Sequence, residues 1–330
     1  MEKIILHIGH GKTGTSYIQS ALSLNKDYLR DKGINYPANK SFKQAFQGLP
    51  TSGNGDLFLK KNFRFNNTVL FSDEGLHDRL LMGDNFEKLF LRHDLDSIKV
   101  ILYSRNLLEL QYSAYLQWLQ TGLGASDFNE YVSLYPPPYK QVLDWLKKSN
   151  DIGFNLVFRN YSNYKNTLLK RFFSDLLGDI DFSDINIPEI HKINRSLNIS
   201  EASLCSVLYS RLGADSKYFA NQFITNFPNM QNQKIKISEN TYNYLLSQYK
   251  GIVSEINSIV NINEHISIEE FDVYNKNAID PDPTSFCILS KKHCDILAKA
   301  LVEYSSPRNF LTRKFNNYLS TIKFIIKKIM

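Results

Sequence analysis

The stretch HIGHGKTGTSYIQSAL, residues 7–22, decides how this chain is read. A short apolar run, KIILHI at 3–8, enters Gly9, Gly11 and Gly14, and a helical pattern follows at once over 14–25. Strand, glycine turn and helix in that order make an anion-binding corner. Glycines let successive backbone N–H groups converge on one anion, and the helix N-terminus adds partial positive charge. Lys12, Thr13, Thr15 and Ser16 supply a cation and three hydroxyls. The spacing also excludes a class. A Walker A loop places its lysine directly after the last glycine, whereas Lys12 stands two positions before Gly14, so this is not an ordinary nucleoside-triphosphatase loop.

Working outward, TVLFS (68–72), IKVILYS (98–104) and FNLVF (154–158) are compact runs of branched and aromatic residues, the pattern of strands covered on both faces. Helices are expected over 107–121, 138–149 and 163–178, with Leu177-Gly178 as a C-terminal stop. Alternation of this kind builds a parallel sheet. Residues 38–56, rich in Asn, Gly, Ser and Pro, read as an irregular excursion of the sort that covers a site. Beyond about residue 180 the strand signals fade and amphipathic helices take over. The expected architecture is a three-layer α/β core over 1–180, then a mainly helical region over 181–330 on the acceptor side, able to pack on the core as one domain.

At 330 residues, 43% hydrophobic and 22% charged, the composition is that of a folded globular chain. Its 39 Lys and Arg against 33 Asp and Glu leave a net charge of +6, which suits anionic ligands without implying nucleic acid. Cys205, Cys287 and Cys294 form neither a disulfide framework nor a zinc-ligand spacing, so a reducing, cytoplasmic setting is expected. The N-terminus reads as a strand rather than a leader. No apolar run approaches the ~18 residues of a spanning helix. The tail 313–330 sets Phe315, Leu319, Ile322 and Ile326 on one face between basic flanks. That face suits docking on the protein's own core or peripheral contact with the inner face of an anionic membrane.

The K-T-G-T-[ST] arrangement at 12–16 resembles the 5′-phosphosulfate loop of the sulfotransferases that use 3′-phosphoadenosine 5′-phosphosulfate (PAPS), the bacterial carbohydrate-type members above all. The likeness runs on through Gln19 to Leu22 and to GINYP at 33–37. It implies PAPS as co-substrate, with Gly11, Lys12, Thr13, Gly14, Thr15 and Ser16 around the 5′-phosphosulfate. In SIKVILYSRNLLELQYSAYLQ, residues 97–117, Arg105 stands at the C-terminal end of a strand, where ligands of open α/β sheets collect, and Ser113 follows on the next helix. This is similar to the family's 3′-phosphate signature, R-N-P followed by S-x-Y, with Leu107 in place of the proline. The resemblance implies that Arg105 and Ser113 grip the 3′-phosphate. Tyr161 stands where the family carries a tyrosine whose face can stack on adenine, with Ser162 in place of the common glutamate. Asn194 and Ser196, in HKINRSLNIS, resemble an N-x-S-L element near the donor nucleotide, with Lys192 and Arg195 adding charge.

Sulfuryl transfer to a hydroxyl needs a base for the acceptor proton and cations for charge developing on the leaving phosphate. TVLFSDEGL, residues 68–76, offers adjacent carboxylates where the family carries its base: Glu74 matches the glutamate of the carbohydrate-type branch, with Asp73 second. Neighbours on a strand point to opposite faces, so one of the two faces the donor. The same segment mimics the metal-holding Walker B stretch, which supports a rival: a magnesium-dependent, P-loop kinase-like phosphotransferase. A third reading is a non-catalytic membrane-surface or partner-binding protein on a defunct nucleotide fold. Sulfuryl carries less charge than a terminal phosphoryl, so Lys12 and backbone dipoles suffice and no metal is expected. The favoured reading is transfer of a sulfuryl group from PAPS to a hydroxyl of a carbohydrate or glycolipid, with Glu74 as base and Lys12 on the leaving phosphate. His7 is expected to be buried in its strand, and His10 to be exposed in the loop.

Overall fold

The structure, a computed structural model, describes residues 4–59, 67–82, 86, 95–123, 128–189, 196–227, 234–276, 278 and 291–305. Asn194, Cys287 and the tail 313–330 lie outside the described residues. Five strands, β1 (Ile4–His7), β2 (Ile34–Asn35), β3 (Thr68–Ser72), β4 (Ile98–Ser104) and β5 (Asn155–Asn160), form one sheet in the order β2-β3-β1-β4-β5. Every pairing is parallel. The register aligns His7 with Ser72 of β3 and Ile101 of β4, so the loop after β1, the Asp73-Glu74 turn after β3 and Arg105 after β4 all leave the sheet at its carboxyl edge.

The strands are where the apolar runs placed them because both faces are covered. Ile5, Leu70, Ile101 and Tyr103 pack against Ile18, Ala21 and Leu22 of α1 (Thr15–Leu24) and against Leu168, Leu169, Phe172 and Phe173. The pleat sends Leu6, Phe71 and Leu102 to the opposite side, and they are equally buried. Each such side chain contributes about 1.5–3 kcal/mol by leaving water.

Three features depart from the sequence expectation. β2 is formed by two residues of the GINYP segment, too short to show an alternating pattern. The helix expected over 163–178 is two helices, Tyr161–Tyr164 and Leu168–Leu177, the first capped by the Asn160 side chain, which accepts from the Ser162 N–H. The excursion at 38–56 is ordered by contact with β3 and contains helices Phe42–Phe46 and Gly55–Phe58. Asn54 accepts from the Ser72 N–H at 2.8 Å through its side chain and donates its own N–H to the Ser72 carbonyl at 3.1 Å. Gly53, at φ 83°, lies so close that a β-carbon there would collide with the Ser72 carbonyl.

The chain divides into two compact units. The sheet belongs to the unit made of Met1–Gln117, Ser126–Ser196 and Gln233–Pro281. That unit therefore takes in helix Glu239–Ile259, which packs on helix Tyr139–Ile152. The second unit is Trp118–Ala125, Leu197–Asn232 and Asp282–Met330. Within it, helix Ile199–Leu212 opens with a capping box between Asn198 and Glu201, and Phe223 of helix Ser216–Asn226 and Phe227 just past its end pack on His293 of helix Lys291–Ser305. Among the described residues, no helix is long and apolar enough to cross a membrane.

Candidate functional site

The loop that leaves β1 takes two left-handed steps, at Lys12 (φ 71°) and Gly14 (φ 79°). Glycine is required at the second, because a side chain on Gly14 would also collide with Leu168 and Tyr161. Lysine has no such freedom, and a left-handed conformation there costs about 1 kcal/mol. Alternating backbone handedness of this kind gathers N–H groups into a concave nest. Among the described residues, nothing accepts from the backbone N–H groups of residues 11–16. Thr15 Oγ1, at the start of α1, is buried and also without a partner. A buried hydroxyl without a partner, as at Thr15, is costly unless a ligand takes it.

The side chains around this nest come from three strand ends. Lys12 is half-buried, and burial, reinforced by the Arg105 charge and opposed by Glu74, lowers its pKa to about 8. Glu74 is half-buried beside the loop, with Oε2 3.7 Å from where a β-carbon on Gly11 would stand. Burial raises its pKa, Lys12 partly offsets this, and Asp73 adds to it. Arg105 donates from Nη1 to the Lys12 carbonyl at 3.0 Å, and its guanidinium lies 5.2 Å from the centre of the Tyr161 ring. Tyr161 thus stands between Arg105 and Gly14 at the mouth of the loop.

Other residues singled out in the sequence are placed as follows. Asp73 is buried, accepts from Arg79 Nη2 at 2.6 Å and from the Gly75 N–H at 2.7 Å, and so is committed to the turn after β3. Thr13 spends its hydroxyl on the His10 carbonyl at 2.8 Å, and Ser16 is half-buried at the start of α1. Ser113 is buried two turns along helix Leu107–Gln120 and makes no hydrogen bond to Arg105. Ser196 is half-buried in coil, while Asn194, with Lys192 and Arg195, lies outside the described residues. Among the described residues, no group of three or more His, Cys, Asp or Glu is arranged to hold a metal ion.

His7 is buried, as expected, with Nδ1 2.8 Å from Ser72 Oγ, and burial lowers its pKa to about 3. The expectation for His10 is corrected: it is 3% exposed, because its ring turns inward to Ser104 at the end of β4. Sequence reading also missed the supports behind Arg105. Glu109 reaches Arg105 Nε at 3.5 Å, Ser162 Oγ at 2.9 Å and Lys165 Nζ at 2.7 Å. Tyr139 donates its hydroxyl to the Arg105 carbonyl at 2.6 Å. The Arg105–Glu109 spacing of four on a helix start was a legible signal; the distant partners carried none.

No family model and no curated protein matches the chain. Among solved structures it is similar to retinol dehydratase in a complex with retinol and PAP, at 12% sequence identity and TM-score 0.31, over 82% of this chain and 84% of that one. It is also similar to retinol dehydratase in complex with androsterone and inactive cofactor PAP, at 11% identity and TM-score 0.29, over 90% and 80%. Likeness at this level supports no statement of family or activity. The α/β class rests on the parallel sheet itself.

Proposed function

We propose that the protein is a PAPS-dependent sulfotransferase. The observation that carries this reading is the nest: unpaired N–H groups at 11–16 and the unpartnered Thr15 hydroxyl beside two half-buried cations, Lys12 and Arg105. These donors fit a 5′-phosphosulfate, and the resemblance of Arg105 and Ser113 to the 3′-phosphate signature supports assigning them to the other end of the same ligand. Tyr161 then offers adenine the ring face turned away from Arg105.

The acceptor hydroxyl oxygen attacks sulfur as the bond from sulfur to the bridging phosphate oxygen breaks. The hydroxyl proton passes to the Glu74 carboxylate, whose raised pKa makes it a better base. Charge appearing on the departing phosphate is met by the Lys12 ammonium and the nest, groups fixed before reaction begins. The resemblance of the loop to the carbohydrate-type branch points to a sugar hydroxyl, on a carbohydrate or glycolipid, as acceptor. The rival phosphotransferase reading puts magnesium on the carboxylates at the end of β3; Asp73 is engaged by Arg79 and Gly75, so only Glu74 is left there for a metal.

Calorimetric titration with 3′-phosphoadenosine 5′-phosphate, ATP and AMP tests the reading. Selective binding of the bisphosphate is expected, without magnesium. Preference for ATP, or strict magnesium dependence of turnover, overturns it.

A further inference from the structure

His10 has no part in the transfer just described, yet it is the most enclosed polar side chain of the loop apart from Thr13 and Thr15. Both ring nitrogens are engaged: Nδ1 lies 2.8 Å from the Gly11 carbonyl oxygen and Nε2 3.1 Å from Ser104 Oγ. A carbonyl only accepts, so Nδ1 carries the proton and Nε2 accepts from the Ser104 hydroxyl. Burial, helped by the His77 and Arg105 charges and opposed by the Gly11 hydrogen bond and Asp78, lowers the His10 pKa to about 3, so the ring stays neutral and in this tautomer.

The consequence lies in the peptide planes. In a trans peptide the C=O and the following N–H point in opposite directions, and no peptide among the described residues is cis. Drawing the Gly11 carbonyl toward His10 therefore turns the Lys12 N–H the other way. Arg105 does the same one peptide on: it holds the Lys12 carbonyl at 3.0 Å and so turns the Thr13 N–H away from itself. Two successive carbonyls are tied back on either side of the left-handed Lys12, whose strain these bonds offset.

We propose that His10 is a positioning residue for the donor: through Gly11 it sets the peptide orientation that leaves the loop's N–H groups open to the 5′-phosphosulfate, and Ser104 fixes the ring for that task. This rests on the reading of residues 11–16 as the 5′-anion cradle. It assigns His10 an effect on one end of the ligand alone.

The test compares 3′-phosphoadenosine 5′-phosphate with adenosine 3′-monophosphate, which lacks the 5′ anion, by calorimetry on the intact protein and its variants. In the unaltered protein the bisphosphate binds more tightly; if it does not, the cradle reading itself fails. His10→Ala weakens the bisphosphate about tenfold, the size of a lost hydrogen bond near a charge, and leaves the monophosphate within about twofold. His10→Asn, whose amide can stand near the place of Nδ1, restores more of the loss than His10→Gln, whose amide stands nearer Nε2. Should His10→Ala fail to fold, the Asn and Gln variants decide between themselves. An unchanged ratio of the two affinities in His10→Ala, an equal fall in both, or a Gln variant as good as Asn overturns the proposal.

Discussion

Two arginines, one just past the end of β4 and one on its neighbour β5, have equal shelter and opposite circumstances. The Arg105 side chain is 16% exposed and that of Arg159, on β5, 17%. Arg159 holds Asp175 with a two-pronged contact at 2.8 and 2.6 Å and Glu264 at 3.2 Å, leaving its fork filled. Arg105 has one carbonyl at 3.0 Å and a carboxylate only at 3.5 Å. Burial is therefore no guide to which arginine serves a ligand. The filling of the guanidinium fork is the guide: a saturated one joins strand to helix, and an open one beside unpaired N–H groups is available to an anion.

The largest expected effect lies on the open side. Lys12→Ala lowers turnover about 10²–10³-fold, the usual loss when one preorganised charge facing a developing anion is removed, without lowering the melting temperature, since burial already disfavours the ammonium. Retained turnover removes Lys12 from the reaction. Next comes Arg159→Met, which strands Asp175 and Glu264, 6% and 5% exposed, without their cation. Breaking a buried pair in this way costs about 3–5 kcal/mol, read as a shifted midpoint in chemical denaturation. Arg105→Met has the reverse profile: a small change in stability and a loss of bisphosphate affinity of about ten- to a hundredfold. Equal destabilisation by both variants would erase the distinction.

The pH profile sharpens the same contrast, because the charges at the open site titrate in an accessible range. With the Lys12 pKa lowered to about 8, its ammonium is present below that pH and lost above it, so kcat/KM falls on the alkaline side from about 8. Lys12→Arg moves this limb to higher pH, since a guanidinium keeps its proton. Glu74, raised by burial, sets an acid limb above the ordinary carboxylate range, because its base form is lost as pH falls. Stability has its own sign. The folded protein holds the Lys12 proton less tightly than the unfolded chain, so stability rises as pH climbs from about 8 toward the ordinary lysine value. A flat profile between pH 7 and 9 counts against Lys12 as the titrating cation.

Four of the five strands and the anion corner were legible because each is a local pattern: an apolar run covered on both faces, or glycines opening a helix. What stayed hidden is non-local. Glu264 meets Arg159, Tyr164 and the Asn160 N–H from about a hundred residues away, and nothing in its own neighbourhood marks it. His10 was misjudged because a histidine between glycines looks exposed; only Ser104, brought alongside by the β1–β4 pairing, draws it inward. Leu107, which departs from the proline of the resembling motif, donates its N–H to the Ser267 carbonyl at 3.3 Å, a bond proline could not make. The Arg79 contact that claims Asp73 was equally illegible, and it adds to the motif match that already put Glu74 first.

The finest test of the contrast concerns Glu109, the carboxylate nearest to filling the Arg105 fork. If an open fork is what serves the ligand, removing this competitor should help binding rather than harm it. Glu109→Gln deletes the negative charge that Arg105 and Lys165 share, and its amide oxygen can still accept from the Ser162 hydroxyl, now at 2.9 Å from Glu109. At 3.5 Å the contact is too long for a strong charge-assisted bond, and its contribution is about 0.2–1 kcal/mol. Bisphosphate affinity should therefore rise by about two- to fivefold at low salt, and the gain should shrink as ionic strength screens the site. Asp175→Asn, the matching change at Arg159, should instead lower the denaturation midpoint and leave nucleotide affinity alone. Weaker binding by Glu109→Gln would mean that the carboxylate orients Arg105 instead of competing for it, and the two arginines would then differ only in degree.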